Sequence, residues 1–589
     1  MDLSNQPLNV PVGPPAGNDI DRRIRAGLGR ATGSLSVGSA LLASGDWAVN
    51  LLVSPGKQIE LGLLAADYAS QLTRYDIECW LVGPGTARRH IQPPARDRRF
   101  EGNAWLHWPF NVLHQSFLLT EQWWNAATHG VLGVERKHED LVSFAARQWL
   151  DLASPSNMLA TNPVALQRTF TEAGQNLMRG AQSFVTDVQR LAAAMPAPGA
   201  EKFAVGSNVA VTPGKVVFKN RLMELIQYSP TTPEVRPEPV LLVPAWIMKY
   251  YILDLSPENS LVKYLVDQGY TVFCISWKNP TAEERDLAMD DYLSLGMDAA
   301  LDTITAIVPE QKVHALGYCL GGTLLAIGAA AMARDGDDRL ASLTLLAAQT
   351  DFTEPGELGL FIDESQVSLL EAQMAQTGYL TGFQMGGAFQ LMRSNDLLWS
   401  RLVNQYLLGE PEQMNDLMAW NADATRLPAR MHSEYLRQLF LHDDLAENRY
   451  RVGGRPISLA EIKVPVFLLG TVTDHVAPWR SVFKLHSLTP AEITFVLTNG
   501  GHNAGVVNPP GNPRRHHQLM TTEAFTGQAS ARNDPDRWLA EAPRKEGSWW
   551  PTWHEWLCAH SGAPTTPPRM GLPATQLLDD APGRYVLEK

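Results

Sequence analysis

The stretch V-H-A-L-G-Y-C-L-G-G-T, residues 313–323, decides the fold of this chain. An apolar run leads into G-x-C-x-G, and a helix-forming Gly-Thr-Leu-Leu-Ala segment follows. This strand, turn and helix form a nucleophile elbow, in which the glycines permit a sharp turn and close packing. The turn holds Cys319 at the carboxyl end of a sheet, beside a helix N-terminus that favours a thiolate. The stretch therefore predicts an α/β fold with a cysteine nucleophile.

The sequence on both sides of this elbow predicts a parallel sheet. Short apolar runs alternate with helical patterns at 239–245, 271–277, 313–319, 342–349, 464–470 and 493–498. Buried strands that alternate with helices are typical of a parallel sheet covered on both faces. Residues 351–460 are rich in Met, Leu, Phe and Trp and are too many for a loop. We expect them to form an inserted helical cap over one end of the sheet.

The N-terminal third has a different pattern. Residues 1–20 are rich in Pro, Asn and Gly and predict a disordered tail. Residues 21–200 predict a mainly helical N-terminal domain, and residues 201–589 a catalytic domain that contains the cap. One helix is predicted by an N-cap at Asn162, Pro163 at the first helical position, and apolar residues at 3–4 spacing as far as Val188. Its apolar stripe requires a partner surface, either within its own domain or on another copy of the chain.

Composition excludes several classes of function. A net charge of −13 argues against a broad nucleic-acid surface. No basic N-terminal region leads into an apolar run, and the longest run of small apolar residues is far shorter than the roughly 20 needed to cross a bilayer. The four cysteines lie far apart without a C-x-x-C pair, which argues against a zinc site or disulfides. We therefore expect a cytoplasmic protein without a bound metal or a transmembrane segment.

Two residues downstream of the elbow complete a triad with Cys319. Asp474 follows the predicted strand 464–470, and His502 follows the predicted strand 493–498. This is the order nucleophile, acid, histidine, with each residue at the same edge of the sheet. We expect His502 to take the thiol proton and Asp474 to fix its tautomer and stabilise the imidazolium. His475 adjoins the acid rather than following a strand of its own, so it either supports the site or is structural.

An oxyanion hole requires two backbone N–H groups. The residue after the nucleophile, Leu320, supplies the first. The second comes from the loop after the 239–245 strand, where the sequence reads P-A-W-I-M-K. Either Trp246 or Ile247 is therefore the second donor.

Seven motifs of this chain resemble those of the polyhydroxyalkanoate synthases, most closely the single-subunit class I type. The motifs, within residue 95 to the C-terminus, are G-Y-C-L-G-G, V-P-A-W-I-M-K-Y-Y-I-L-D-L-S-P-E-N-S-L, F-C-I-S-W-K-N-P, D-H-V-A-P-W, G-H-N-A-G-V-V-N-P-P-G-N-P, G-S-W-W-P-T-W and F-A-V-G-S-N-V-A-V-T-P-G-K-V-V-F. The resemblance implies an α/β-hydrolase core with a cap, preceded by a helical domain. It also implies that Cys319, Asp474 and His502 are the catalytic triad and that Asp254 and Trp420 support the site.

The activity that this resemblance implies is polymerisation of (R)-3-hydroxyacyl-CoA into polyester with release of CoA. It further implies a homodimer on cytoplasmic polymer granules. No cofactor is expected beyond the CoA thioester, which is the substrate. Sulfur suits this chemistry, because a thiolate exchanges one thioester for another and keeps the acyl group activated until the next hydroxyl attacks.

Two alternatives stay open at this point. A cysteine-dependent hydrolase of the same fold, such as a thioesterase or lactone hydrolase, would share the triad but release free acid. A granule-coating protein would carry an inert hydrolase domain. Asn503 and Trp246 depart from the family pattern, which leaves the acyl-chain length undecided. The sequence also leaves undecided whether His502 or Asp474 activates the incoming hydroxyl.

Overall fold

The computed structural model describes residues 17–83, 91–93, 97–193, 195–196, 198–392, 398–411, 413–525, 534–572 and 578–589. Its central element is a ten-stranded sheet, and two small two-stranded sheets lie apart from it. The strands are β1 (Gly214–Lys219), β2 (Met223–Tyr228), β3 (Val240–Val243), β4 (Val272–Trp277), β5 (Val313–Tyr318), β6 (Leu340–Leu346), β7 (Tyr379–Leu380), β8 (Leu427–Pro428), β9 (Arg451–Val452), β10 (Arg455–Pro456), β11 (Val466–Thr471), β12 (Ile493–Thr498), β13 (His516–Thr522) and β14 (Arg544–Glu546).

The large sheet has the strand order β1-β2-β4-β3-β5-β6-β11-β12-β13-β14. Its centre, from β4 to β12, is parallel, and the strands outside it pair antiparallel. The central strands are the six apolar runs that the sequence predicts, and they are buried on both faces. The predicted α/β fold is therefore confirmed, and β5, β11 and β12 all end at the same edge of the sheet.

Helices cover both faces of the sheet and form the region before it. They are α1 (Gly17–Ala31), α2 (Val37–Leu52), α3 (Pro55–Val82), α4 (Phe110–Thr128), α5 (Arg136–Leu152), α6 (Pro163–Thr171), α7 (Gln175–Ala192), α8 (Leu261–Asp267), α9 (Met289–Asp291), α10 (Ala299–Ile307), α11 (Leu320–Asp335), α12 (Glu364–Thr377), α13 (Gly382–Met392), α14 (Asp416–Asn421), α15 (Ala429–Glu434), α16 (Trp479–Phe483), α17 (Leu485–Leu488), α18 (His502–Val506), α19 (Pro535–Glu541) and α20 (Trp550–Ala559). Turns of π-helix occur at Tyr292–Asp298, Leu402–Leu407 and Tyr435–Leu441.

The helix predicted after Asn162 is divided in two. Its N-cap is correct, because the Asn162 side chain accepts hydrogen bonds from the N–H groups of Val164 and Ala165. The chain then breaks at Ala173 and Gly174, both with positive φ, so that α6 and α7 are separate helices. α7 packs against the π-helical Leu402–Leu407 segment of the same chain through Asn176 and Gly180, where a Cβ on Gly180 would overlap a backbone carbonyl. The predicted apolar stripe is not the buried face, because Phe170, Phe184 and Val188 are exposed.

The predicted tail and the predicted cap can both be compared with the elements of the structure. Residues 1–16 of the predicted tail lie outside the described residues, and residues 17–20 are not a tail but the first turn of α1. Between β6 and β11 the chain leaves the large sheet and forms helices α12 to α15 together with the two small sheets. Helices α12 to α15 and the β7–β8 sheet cover the carboxyl edge of the parallel strands. Strands β9 and β10 lie instead at the C-terminal end of α11, where Arg334 donates to the carbonyls of Val452 and Arg455. We refer to residues 351–460 as the cap.

None of the described helices alone is long and apolar enough to span a membrane. Helices α2 and α3 pass that test only when taken together, and the chain bends by 89° between them. Both helices expose large apolar side chains: Leu41, Leu42, Leu52, Ile59, Leu63, Trp80 and Leu81.

Candidate active site

Cys319 occupies the sharp turn between β5 and α11. Its backbone has φ 53° and ψ −125°, a conformation that costs a non-glycine residue on the order of 1–3 kcal/mol. The turn is held by the Cys319 N–H, which donates to the carbonyl of Leu346 on β6 at 2.9 Å. The Cys319 carbonyl accepts from Gly322 N–H at 2.9 Å and Thr323 N–H at 3.2 Å. Strain of this kind is the hallmark of an elbow that presents its side chain above the sheet.

The glycines around Cys319 are required by close packing rather than by positive φ. A Cβ on Gly321 would overlap the carbonyl oxygen of Val243 at the end of β3. A Cβ on Gly317 would overlap the backbone of Gly322, where strand and helix cross. The G-x-C-x-G-G pattern is therefore explained by the contact of α11 with β3 and β5.

His502 and Asp474 form a buried hydrogen-bonded pair at the same edge of the sheet. His502 is the first residue of α18, and its Nδ1 donates to Oδ2 of Asp474 at 2.8 Å. The other carboxylate oxygen, Oδ1, accepts from the N–H groups of Val476 and Ala477 at 2.9 and 2.8 Å. Thr471, the last residue of β11, donates its hydroxyl to Oδ2 at 3.2 Å. These bonds fix the carboxylate and leave Nε2 of His502 for the thiol.

The charges of the three residues are coupled. Burial alone would lower the pKa of His502, but the Asp474 carboxylate and the neighbouring Cys319 sulfur outweigh it and hold that pKa well above its usual range. Burial raises the pKa of Asp474, yet the imidazole and the two backbone N–H groups more than offset it, so the pKa is lowered. The site therefore favours a protonated His502 imidazolium beside an ionised Asp474 carboxylate.

A cavity of about 360 Å³ opens above Cys319 and His502. The cap contributes many aliphatic and aromatic side chains to its wall, including Leu358, Phe361, Ile362, Leu370, Leu380 and Leu436. Tyr435 lies against the nucleophile: burial and the charge of Cys319 both raise the pKa of its hydroxyl. The cavity is therefore suited to an apolar acyl chain and to the exclusion of water.

The turn between α1 and α2 closes one side of this cavity. Gly33, Ser34 and Leu35 line it, although they lie almost 300 residues before the nucleophile. Gln366, on the cap helix α12, holds the turn with both ends of its buried side-chain amide: Nε2 donates to the Ser34 carbonyl at 2.6 Å, and Oε1 accepts from Ser36 N–H at 2.7 Å. The N-terminal helices thus contribute directly to the wall of the site.

The predicted oxyanion residues lie around the elbow. Leu320 is the first residue of α11, so its N–H has no acceptor within the helix. Ile247 lines the cavity in the loop after β3, and Thr425 of the cap donates its hydroxyl to the carbonyls of both Trp246 and Ile247. The Trp246 indole is buried in the core, where it stacks on Tyr292 at 4.3 Å. The choice between the Trp246 and Ile247 N–H groups stays a prediction.

The three predicted supporting residues differ in position. Trp420 and His475 line the cavity, and the Trp420 indole N–H donates to the Lys249 carbonyl at 2.7 Å. Asp254 does not line the cavity but is buried beneath it.

The carboxylate of Asp254 has an asymmetric environment. Oδ1 accepts hydrogen bonds from the Thr212 and Ser260 hydroxyls, both at 2.6 Å. Oδ2 is buried without a hydrogen-bond partner among the described residues. Burial raises the pKa of Asp254 to about 6 in spite of the two hydroxyl donors. The hydrogen bonds to the Asp254 carboxylate thus come from two residues that do not line the cavity, and its supporting role stays a prediction.

Sequence reasoning did not assign roles to four further residues that line the cavity: Tyr318, His432, Tyr435 and Asn503. The Tyr318 hydroxyl donates to Oδ1 of Asn503 at 2.6 Å, and its ring stacks on the His502 imidazole. Tyr318 and Asn503 could have been predicted as site residues, because they adjoin Cys319 and His502 in the sequence. His432 and Tyr435 lie in the cap, where nothing in the local sequence points to the site.

Family models match three segments of the chain. Residues 96–265 match the model described as poly-beta-hydroxybutyrate polymerase (PhaC) N-terminus, and residues 15–57 match poly-beta-hydroxybutyrate polymerase N terminal. Residues 238–509 match the alpha/beta hydrolase fold, which confirms that part of the resemblance. Among solved structures, a monoacylglycerol lipase from Paleococcus ferrophilus aligns with 58% of this chain and 99% of its own, at 14% identity and a TM-score of 0.32.

Curated relatives match over most of the chain. The poly(3-hydroxyalkanoate) polymerase of Methylorubrum extorquens is 41% identical over 537 residues, which are 90% of this chain and 86% of that protein. The polymerase subunit PhaC of Cupriavidus necator is 38% identical, with 84% of each chain covered. Polymerase 2 of Ectopseudomonas oleovorans is 35% identical, with 85% of this chain and 88% of its own covered. The chain, with its cysteine elbow on an α/β-hydrolase sheet, therefore belongs to the poly(3-hydroxyalkanoate) polymerase family of acyltransferases.

Proposed function

We propose that this chain polymerises (R)-3-hydroxyacyl-CoA through an acyl intermediate on Cys319. The observation that carries the proposal is the position of the thiol: it stands at a strained elbow, beside the His502–Asp474 pair, at the floor of an apolar cavity. A thiol so placed has a base within reach and an acyl-binding wall above it. Membership of the polymerase family supplies the substrate class.

The first half of the cycle is a thioester exchange. The Cys319 thiolate attacks the carbonyl carbon of the acyl-CoA, and the Leu320 N–H together with one from the loop after β3 binds the developing oxyanion. The bond from that carbon to the CoA sulfur breaks, and the His502 imidazolium gives its proton to the departing CoA thiolate. The acyl group is now joined to Cys319 as a thioester, with little change in bond energy.

The second half adds one unit. The 3-hydroxyl of another 3-hydroxyacyl-CoA attacks the acyl-Cys319 carbonyl and gives its proton to His502, while the Cys319 thiolate leaves. The product is an ester-linked chain that still carries CoA, and attack by Cys319 on this new thioester releases that CoA. One CoA therefore leaves for each unit added. All proton transfers use His502, and we propose no role for Asp474 as a second base, because its oxygens already accept four hydrogen bonds.

We propose that the cycle requires neither a metal nor an organic cofactor, since the CoA thioester brings the activated acyl group. Water must be excluded, because hydrolysis of the acyl-Cys319 thioester ends the chain. The cap and the turn at residues 33–35 supply that exclusion. Since both the cap and this turn line the cavity, we expect the cap to move when substrate enters.

We also propose that the protein works on the surface of cytoplasmic polyester granules and as a homodimer. The exposed apolar side chains of α2 and α3 support the granule location, because a polyester surface would bury them. The dimer rests on the family resemblance. Light scattering of the full chain tests whether it is a dimer, and co-sedimentation with amorphous poly(3-hydroxybutyrate) particles tests whether it binds the granule surface. A monomeric mass at all concentrations, or no co-sedimentation, contradicts the respective proposal.

The experiment that tests the proposed activity supplies 3-hydroxybutyryl-CoA to the purified protein. We expect stoichiometric release of CoA with insoluble polyester as the product. Soluble 3-hydroxybutyrate in its place would identify a hydrolase, and the absence of CoA release would identify a chain without catalytic function. Repeating the assay with medium-chain thioesters measures the acyl-chain preference.

A further inference from the structure

Tyr318 and Asn503 form a polar pair at the floor of the cavity. Tyr318 directly precedes the nucleophile, and Asn503 directly follows His502. The Tyr318 hydroxyl donates to Oδ1 of Asn503 at 2.6 Å. The Tyr318 ring also stacks on the His502 imidazole, with 5.5 Å between the ring centroids and 29° between the planes. One buried tyrosine therefore contacts both the base and its neighbour.

The hydroxyl of Tyr318 is a dependable donor. Its side chain is buried, and burial together with the charges of Cys319 and Asp474 raises its pKa well above the usual range. The phenol therefore holds its proton more firmly than a solvent-exposed tyrosine does. Because Oδ1 of Asn503 accepts that proton, the carboxamide is held in one of its two orientations.

With Oδ1 of Asn503 held by Tyr318, the Nδ2 group of the same carboxamide points away from Tyr318. Asn503 lines the cavity, and none of the described residues is found to accept a hydrogen bond from its Nδ2. Asn503 is half-buried, so water can reach Nδ2 while the cavity is empty. The surrounding wall is mostly aliphatic and aromatic, so a molecule that fills the cavity and displaces this water is the available source of an acceptor for Nδ2.

We propose that Asn503 recognises the growing polyester, its Nδ2 donating to an ester carbonyl oxygen of the chain held on Cys319. The inference rests on the proposed function of the site. A polyester carries one ester carbonyl for each unit added, whereas the first monomer has none. The thioester carbonyl itself is served by the backbone N–H groups near Leu320. Asn503 is thus a specificity-determining residue, and Tyr318 is the positioning residue that orients it.

The proposal separates two substrates that are chemically alike at the reacting atom. 3-Hydroxybutyryl-CoA and the CoA thioester of its linear trimer both acylate Cys319 by the same exchange, but only the trimer carries ester carbonyls. Asn503 therefore improves acylation by the trimer thioester alone. A residue that merely supports the fold affects both thioesters equally.

The test measures the acylation rate of each thioester with enzyme in excess, by rapid quenching and assay of released CoA. For Asn503→Leu we expect the ratio of the trimer rate to the monomer rate to fall by about three- to tenfold, the usual worth of one hydrogen bond. The ratio is the readout, because Asn503 adjoins His502 and its replacement can lower both rates. Tyr318→Phe keeps the ring stack but releases the carboxamide, so we expect a smaller fall in the same ratio.

The double variant Tyr318→Phe/Asn503→Leu guards against misfolding, because it leaves no buried hydroxyl without a partner. We expect it to lose no more than Asn503→Leu alone. Equal losses with both thioesters, or no loss with either, would overturn the proposal. If the unaltered enzyme releases CoA from neither thioester, or yields only soluble acid, the proposed function fails instead, so the two failures are distinguishable.

Discussion

Nδ1 of His502 lies 2.8 Å from Oδ2 of Asp474, and the carboxylate receives three further hydrogen bonds from the turn after β11. The acid is therefore built into the backbone of that turn, and the histidine is oriented by it. This arrangement assigns the proton on Nδ1 and directs Nε2 to Cys319. Much of the expected behaviour of the enzyme follows from this one contact.

Replacement of Asp474 by Asn should reverse the tautomer of His502. The two backbone N–H groups require an oxygen at the Oδ1 position, so the new amide nitrogen faces Nδ1 and forces the proton to Nε2. We expect kcat to fall by about 10³- to 10⁴-fold with little change in KM. Steady-state assay of CoA release measures this. A histidine NMR titration should also show that the pKa of His502 is lower in the variant, and an unchanged pKa would contradict the coupling.

Replacement of Cys319 should distinguish two steps, acylation of residue 319 and transfer of the acyl group to the next 3-hydroxyl. We expect Cys319→Ala to abolish CoA release and Cys319→Ser to lower polymerisation by about 10³-fold or more, because an oxygen ester transfers its acyl group less readily. Mass spectrometry of the intact protein after incubation with 3-hydroxybutyryl-CoA detects the adduct. The alanine variant should carry none. Polymer formation by Cys319→Ala would refute the assignment of the nucleophile.

Gly321→Ala should damage the elbow through packing. The added Cβ would overlap the carbonyl oxygen of Val243. Because that oxygen belongs to the backbone and a Cβ has a fixed position, neither atom can rotate away. We expect a loss of stability of about 1–3 kcal/mol together with a loss of activity, because α11 must move away from β3. Thermal unfolding and CoA release measure the two effects. Gly386→Ala is the matched control, since a Cβ there would have no atom of the described residues within 4 Å. Equal behaviour of the two variants would contradict the packing argument.

Asp254→Asn should change how stability depends on pH. The folded-state pKa of Asp254 is raised to about 6 by burial, so between about pH 4 and 6 the folded protein binds more protons than the unfolded chain, and stability falls as pH rises. Asparagine removes this titration. The free energy of unfolding of the variant relative to the wild type should therefore rise by about 3 kcal/mol from pH 4 to pH 7.

Urea unfolding at several pH values measures that difference. Asp298 and Asp443 also have pKa values raised to about 6 by burial, and they affect wild type and variant alike. The comparison therefore isolates Asp254. A difference that stays constant with pH would show that Asp254 does not titrate in this range.

Gln366→Leu should detach the turn at residues 33–35 from the cap. The variant leaves the Ser34 carbonyl and the Ser36 N–H without their partner, a cost of about 1–3 kcal/mol for each buried group. We expect faster hydrogen exchange at residues 34–36 and more soluble 3-hydroxybutyrate, because water reaches the acyl-Cys319 thioester. Gln182→Leu, at an exposed position of α7, is the matched control, because none of the described residues is found to hydrogen-bond to its side chain. Unchanged exchange in Gln366→Leu would show that the contact does not hold the turn.

The central sheet and the triad could be predicted because their signals are local. Buried parallel strands are continuous apolar runs, and Ile493–Thr498 was predicted with the bounds that the structure has. The order of nucleophile, acid and histidine then followed from the strand ends. Strand β2 was missed because Glu224 and Gln227 interrupt its apolar run. Both are buried, and Glu224 is held by Lys219 and by the N–H groups of Arg584 and Tyr585.

The parts that could not be predicted depend on contacts between distant segments. The pairing of the 33–35 turn with Gln366 joins residues about 330 positions apart, and neither segment carries a pattern that points to the other. The break between α6 and α7 was hidden because the apolar spacing continues through Ala173 and Gly174. The Tyr318–Asn503 contact could not be predicted because it depends on how the end of β5 is positioned relative to α18.

The turn at residues 33–35 has a consequence for redesign of the enzyme. The wall of the acyl-binding cavity is formed by two regions that are far apart in the chain, the turn at residues 33–35 and the hydrolase domain with its cap. The size of the cavity therefore depends on how these two regions pack together as well as on the side chains of the hydrolase domain. A fragment that begins after the linker near residue 200 would retain the triad but lose one wall. Efforts to admit bulkier monomers should therefore vary Leu35 together with the cap residues that line the cavity, and chimaeras should exchange both regions together.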